Sequence, residues 1–156
     1  METKQSLYSK FCGYLDSIGF KYDRDDEKCA VETGVQGDDL PMRFHITFDD
    51  KPLRMWMWSM LPAAVRDGKR MAACAIAVHK VNSEMFLGNF DMDPEDGTIG
   101  YELTTLFEGC DVEDPQAAFG TIVALVTSYI DKYNEKIAAL AMGVIDLDEF
   151  MKKIAD

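Results

Sequence analysis

Four carboxylates, Asp91, Asp93, Glu95 and Asp96, fall within six positions and are followed by Gly97. Clustered carboxylates beside a glycine are the raw material of a calcium loop. Such a loop takes oxygen ligands at its first, third and fifth positions, glycine at the sixth and a bidentate glutamate at the twelfth. Counted from Asp91, the glycine arrives seventh, and the twelfth residue, Glu102, falls in a stretch of strand character. The spacing therefore fits a β-hairpin turn better, because Asp, Pro and Gly each favour the turn backbone. Divalent-ion sensing by the 91–97 loop stands as the alternative.

The other residues with chemical potential are dispersed. Cys12, Cys29, Cys74 and Cys110 contain no C-x-x-C pair and form no cluster with His45 or His79, whereas zinc sites need paired ligands at short spacing. His79 lies about 140° round a helix from Cys74, so the two make no local dyad. No G-x-S-x-G, P-loop, G-x-G-x-x-G or H-E-x-x-H motif occurs. The expectation is a non-enzymatic chain with no cofactor and no metal. Its thiols are expected to be reduced, with Cys12 and Cys74 acting as small core residues.

Charge narrows the partners. The chain of 156 residues carries a formal charge of -12, which repels phosphate backbones and anionic lipid. The densest basic group, Arg66, Lys69 and Arg70, is interrupted by Asp67, so no basic stripe suits nucleic acid. No apolar run approaches the roughly 20 residues that span a bilayer. Met1 to Gln5 lead into an amphipathic stretch rather than a signal sequence. The chain is expected to be cytoplasmic, binding neither nucleic acid nor membrane.

The remaining candidate is an apolar surface. Leu53 to Met60 reads Leu-Arg-Met-Trp-Met-Trp-Ser-Met, with Leu53, Met55 and Met57 on one face of a strand and Trp56, Trp58 and Met60 on the other. One reading buries both faces in a central strand. The other leaves the tryptophan face open for a dimer mate or a client segment, with Arg43 and Arg54 as polar neighbours. Met adapts to varied partners, Trp is enriched at binding hot spots, and an exposed apolar patch marks an interaction site.

Elements must hold these residues. Thr3 or Ser6 can cap a first helix carrying Leu7, Phe11, Leu15 and Ile18, closed by Gly19. Lys21 to Glu27 reads as a turn and Cys29 to Val35 as a strand. Met42, Phe44, Ile46 and Phe48 alternate with Arg43, His45 and Thr47, which predicts a half-buried strand. Leu53 to Met60 follows as a strand, ended by Pro62. Asp67 can cap a helix bearing Met71, Cys74, Ala75, Val78 and Val81. Phe86 to Asp91 and Thr98 to Thr105 are the last strands. Asp114-Pro115 opens a long helix ending near Gly143, and a short helix starts near Leu147. The expected fold, over one domain spanning 1–156, is α+β: an antiparallel five-stranded sheet in the order α-β-β-β-α-β-β-α plus a short C-terminal helix, with helices on one face.

Asp38 to Phe44, the strand that follows, and Gly88 to Ile99 resemble the YbjN-like family, regarded as bacterial sensory-transduction regulators. The resemblance runs from about Asp16 to Met142. It implies the fold of type III secretion chaperones and a homodimeric, non-enzymatic protein-binding module, chaperone-like or regulatory. It supplies no catalytic residues. The Met55-Trp56-Met57-Trp58 strand and the tail after Gly143 depart from the family pattern. The alternative function is a ligand- or ion-sensing domain using the 91–97 loop or a pocket over the sheet.

Overall fold

Each helix begins where a short polar side chain takes up a free backbone N–H. In the computed structural model, which describes residues 1–155, α1 spans Lys4–Ser17 and α2 Gly68–Asn82, while α3 spans Pro115–Met142 and α4 Leu147–Ala155. Thr3 accepts from the Ser6 N–H at 3.1 Å and Asp67 from Lys69 at 3.0 Å. Asp114 accepts from Ala117 at 3.0 Å and Asp146 from Glu149 at 2.8 Å. These bonds satisfy donors that have no partner inside the helix. Gly143 ends α3 in the left-handed conformation at φ 74°, which glycine adopts without steric cost. Ile18, expected on the buried stripe of α1, lies past the helix end and is exposed.

The strands are β1 Tyr22–Asp25, β2 Ala30–Gln36, β3 Pro41–Asp50, β4 Leu53–Ala64, β5 Asn89–Met92 and β6 Thr98–Leu106. They form one antiparallel sheet in the order β1-β2-β3-β4-β6-β5. The sheet has six strands, not five, and the element order is α-β-β-β-β-α-β-β-α-α. The added strand is β1, in the segment expected to be a turn. It is a short polar edge strand whose partner β2, rather than its own composition, holds it extended. The strand expected to stop at Pro62 runs on to Ala64, across a register irregularity between Met60 and Ala64. A bulge is one of the few places where a strand tolerates proline. Phe86 to Gly88 lies outside β5; Phe86 is exposed and its ring sits edge-on to Tyr129 at 6.0 Å.

Among the described residues, α1, α2 and α3 pack on one face of this sheet, and α4 packs against α2 and α3. Phe44, Ile46 and Phe48 of β3 and Met55 and Met57 of β4 share a continuous core with Leu7 and Phe11 of α1, Val78 of α2, Phe119 and Ile130 of α3 and Phe150 of α4. Cys12, Cys29 and Cys74 are buried, and Cys110 is exposed.

Two polar anchors hold the periphery. The buried carboxylate of Glu2 accepts from Lys10, from Ser6 and from the Val112 N–H at 3.0 Å, tying the N-terminus to the segment before α3. At the far edge of the sheet, the Asn82 amide donates to the Phe90 carbonyl at 2.9 Å and accepts from the Phe90 N–H at 2.8 Å. Asn82 thereby supplies β5 with the pair of hydrogen bonds that a neighbouring strand would make.

Candidate functional site

Strand alternation decides which side chains face away from the helices. On β4 the even-numbered residues Arg54, Trp56, Trp58 and Met60 point to the helix-free face, because Met55 and Met57 join the core. The register then assigns neighbours. Trp58 lies between His45 and Glu102, and Trp56 between Thr47 and Thr104. Both cross-strand neighbours of Trp56 are thus short threonines. Arg54 pairs across with Leu106 on β6 and with Asp49 on β3.

The two indoles are half-buried and lie 6.2 Å apart, tilted by 35°. The His45 ring is 5.4 Å from Trp58, and its Nδ1 lies 3.2 Å from a Glu32 carboxylate oxygen. Met60 and Leu106 expose 47% and 61% of their surface, so the aromatic pair continues into further apolar area. Trp56, Trp58 and Met60 thus make an apolar surface on the sheet face away from the core, and Leu106, opposite Arg54, adds an exposed apolar side chain at one end of that face.

The five residues singled out in the sequence occupy this face unequally. Trp56, Trp58 and Met60 form its centre. Arg54 is held by Asp49 at 2.9 Å. Arg43 stands on the far flank, lining a concavity of 520 Å³ with Lys21, His45, Trp58 and Met60. On the other flank a second groove of 290 Å³ lies between the tryptophans and the β5–β6 hairpin. Met60 and Trp58 thus form a ridge between two hollows. Sequence reasoning missed His45, Glu102, Asp91 and Leu106 as members of this surface. For His45 a signal was present, because the tight 50–53 connection sets the β3–β4 register and places the polar side of β3 beside the tryptophans.

The acidic loop is a turn. Asp93 accepts from the Glu95 N–H at 2.7 Å, and Asp96 accepts from both the Thr98 N–H at 2.8 Å and the Thr98 hydroxyl at 2.7 Å. These bonds hold Asp96 below the usual carboxylate range. Among the described residues, no three His, Cys, Asp or Glu side chains converge into a group that could hold a metal ion. Cys74 is buried on α2 while His79 is exposed, so they face apart. Among the described residues, no helix is long and apolar enough to cross a membrane.

No family model matches the chain. No curated protein matches it either. Solved structures do. The crystal structure of YbjN from E. coli, a candidate transcription regulator, is 12% identical, with a TM-score of 0.57 over 88% of this chain and 92% of that one. The HopA1–SchA chaperone–effector complex gives 12% identity and a TM-score of 0.55 over 86% and 98% of the two chains. The ExsC–ExsE complex gives 11% and 0.50 over 86% and 97%. At such identities the likeness concerns architecture. The chain has the YbjN-like, type III secretion chaperone-like fold that its sequence resemblance implied.

Proposed function

We propose that this protein is a non-enzymatic, single-domain protein-binding module, chaperone-like or regulatory, that works as a cytoplasmic homodimer. Its open sheet face receives a segment of a partner protein. One observation carries the reading: Trp56, Trp58, Met60 and Leu106 share the sheet face opposite the core. Large apolar side chains kept out of an available core are costly unless they meet a partner. The fold shared with a chaperone solved in complex with its effector supports the same reading.

The test compares the wild-type chain with the Trp56→Ala/Trp58→Ala variant. Both are used as bait in native extract, with cross-links mapped to residues. The reading expects specific partners cross-linked to the open face, lost from a variant that still folds. Partners retained by the variant would sink it. Sedimentation should give a species of twice the 17.6 kDa chain mass; a monomer at all concentrations would remove the homodimer.

A second reading, a small-ligand sensor, is favoured by the 520 Å³ concavity over β1 to β4, a volume within the range of ligand sites. A thermal melt against a metabolite panel tests it, because a specific ligand raises apparent stability.

A further inference from the structure

We propose that the groove between the tryptophan pair and the β5–β6 hairpin is a subsite for one cationic side chain, arginine or lysine, of the partner segment. The proposal rests on the open face as a protein-binding surface and specifies the chemistry of what it binds.

The groove measures 290 Å³, just below the range of small-molecule sites and suited to a single long side chain. One wall is apolar: Trp56, Trp58 and Met60. The other wall is anionic: Asp91, Asp93 and Glu102. Gly100 forms part of the lining, and a Cβ there would come within 3.3 Å of the Ser59 carbonyl and 3.7 Å of the Met60 sulfur. The absence of a side chain at Gly100 keeps the groove open between its two walls.

Charge is unbalanced here in a way that it is not elsewhere on the face. Among the described residues, no lysine, arginine or histidine lines the groove. The nearest strand cation, Arg54, is engaged by Asp49 at 2.9 Å, and Arg43 lines the opposite hollow. Glu32, on that opposite flank, has His45 within 3.2 Å. Asp91 and Glu102 have no ion-pair partner among the described residues. These carboxylates are not gathered into a metal-holding group.

Only one kind of side chain satisfies both walls. The methylene stem of lysine or arginine covers apolar surface while its head stays polar. The cationic head meets an indole, the best aromatic partner for a cation, and carboxylates that accept charge-assisted hydrogen bonds. A neutral apolar side chain would leave the acidic wall uncompensated, and an acidic one would be repelled.

Trp56 and Trp58 are the only tryptophans in the chain, and both line the groove, so intrinsic fluorescence reports on it directly. The probe is a blocked pentapeptide of alternating leucine and arginine, compared with the same peptide carrying citrulline, a neutral isostere. The arginine peptide should change the emission saturably and bind at least about fivefold more tightly than the citrulline peptide. Asp91→Asn/Glu102→Gln should abolish that preference. Glu113→Gln/Glu135→Gln, which removes equal charge from exposed positions elsewhere, should preserve it.

Equal binding of the two peptides would overturn the cationic subsite while leaving the tryptophan face as an apolar docking surface. A preference weakened equally by both double variants would reduce the effect to general attraction by an acidic chain and overturn it as well. No response to either peptide also overturns it, and the bait experiment with the tryptophan variant then decides the wider reading separately. All the substituted carboxylates are exposed, so folding should be kept, as far-UV circular dichroism would verify.

Discussion

The rings of Trp56 and Trp58 lie 6.2 Å apart on the opposite side of β4 from Met55 and Met57, which are 0% and 2% exposed. Neighbouring residues of one strand therefore face different surroundings. The methionines close the core, and the tryptophans face away from it. Under the proposed protein-binding role, this separation predicts that stability and binding respond to different mutations. Phe119 is the contrasting residue: fully buried, perpendicular to Phe11 at 5.2 Å and 6.1 Å from Phe107. Phe119→Ala should cost about 3–5 kcal/mol in urea unfolding. Trp56→Ala and Trp58→Ala together should cost less than about 2 kcal/mol. Equal losses would place the tryptophans in the core.

Glu2 should give the molecule an acid-sensitive anchor. Hydrogen bonds from Lys10 and Ser6 hold its carboxyl down at about 2, from an ordinary value of 4.5. A folded value below the unfolded one means that the unfolded chain binds more protons, so stability rises with pH through this window. The contribution is fully present above about 4.5 and is lost as pH falls towards about 2. Glu2→Gln should destabilise the protein by about 1–3 kcal/mol at neutral pH. The gap from wild type should close as urea midpoints are measured at progressively lower pH. A gap unchanged down to pH ~2 would mean that the anchor does not depend on ionisation.

The 91–97 loop makes a geometric prediction and a chemical one. Gly97 has φ 73°, and a Cβ there would lie 2.1 Å from the Val65 carbonyl oxygen, while its own carbonyl accepts from the Val65 N–H at 2.7 Å. Gly97→Ala should cost at least about 2 kcal/mol, with hydrogen exchange accelerated in β5 and β6. Because Asp93 and Asp96 are engaged with the turn backbone, millimolar calcium or magnesium should leave the melting temperature where a chelator leaves it. A shift with calcium would restore an ion-sensing role.

Thiol chemistry should follow burial. Desolvation raises the Cys12, Cys29 and Cys74 thiols, and the thiolate is the reactive form. Native alkylation should add one group, at exposed Cys110, and alkylation in denaturant should add four. Mass spectrometry distinguishes the two, and rapid native labelling of a buried cysteine would contradict the packing.

The helix boundaries were legible because they are local. Thr3, Asp67, Asp114 and Gly143 act through atoms a few residues away, and the alternation in β3 shows which side of that strand is wet. What was not legible depends on partners distant in sequence. Tyr22–Asp25 carries a single aromatic among charges, so only its pairing with β2 makes it a strand. Glu102 and Leu106 reach the tryptophan face because β6 returns across α2 to lie beside β4, which no local pattern encodes. Both faces of β4 are apolar in sequence, so alternation alone could not say which one the helices would take.

The Asn82 clamp on Phe90 has a consequence for assembly. A sheet with two free edges can recruit neighbours at both and grow into a fibre. Here the Asn82 amide already occupies the outward N–H and C=O of Phe90 in the middle of β5, so a strand adding at that edge would have to displace it. A sheet blocked in this way at one edge is hindered from growing in both directions, which is what a propagating filament requires.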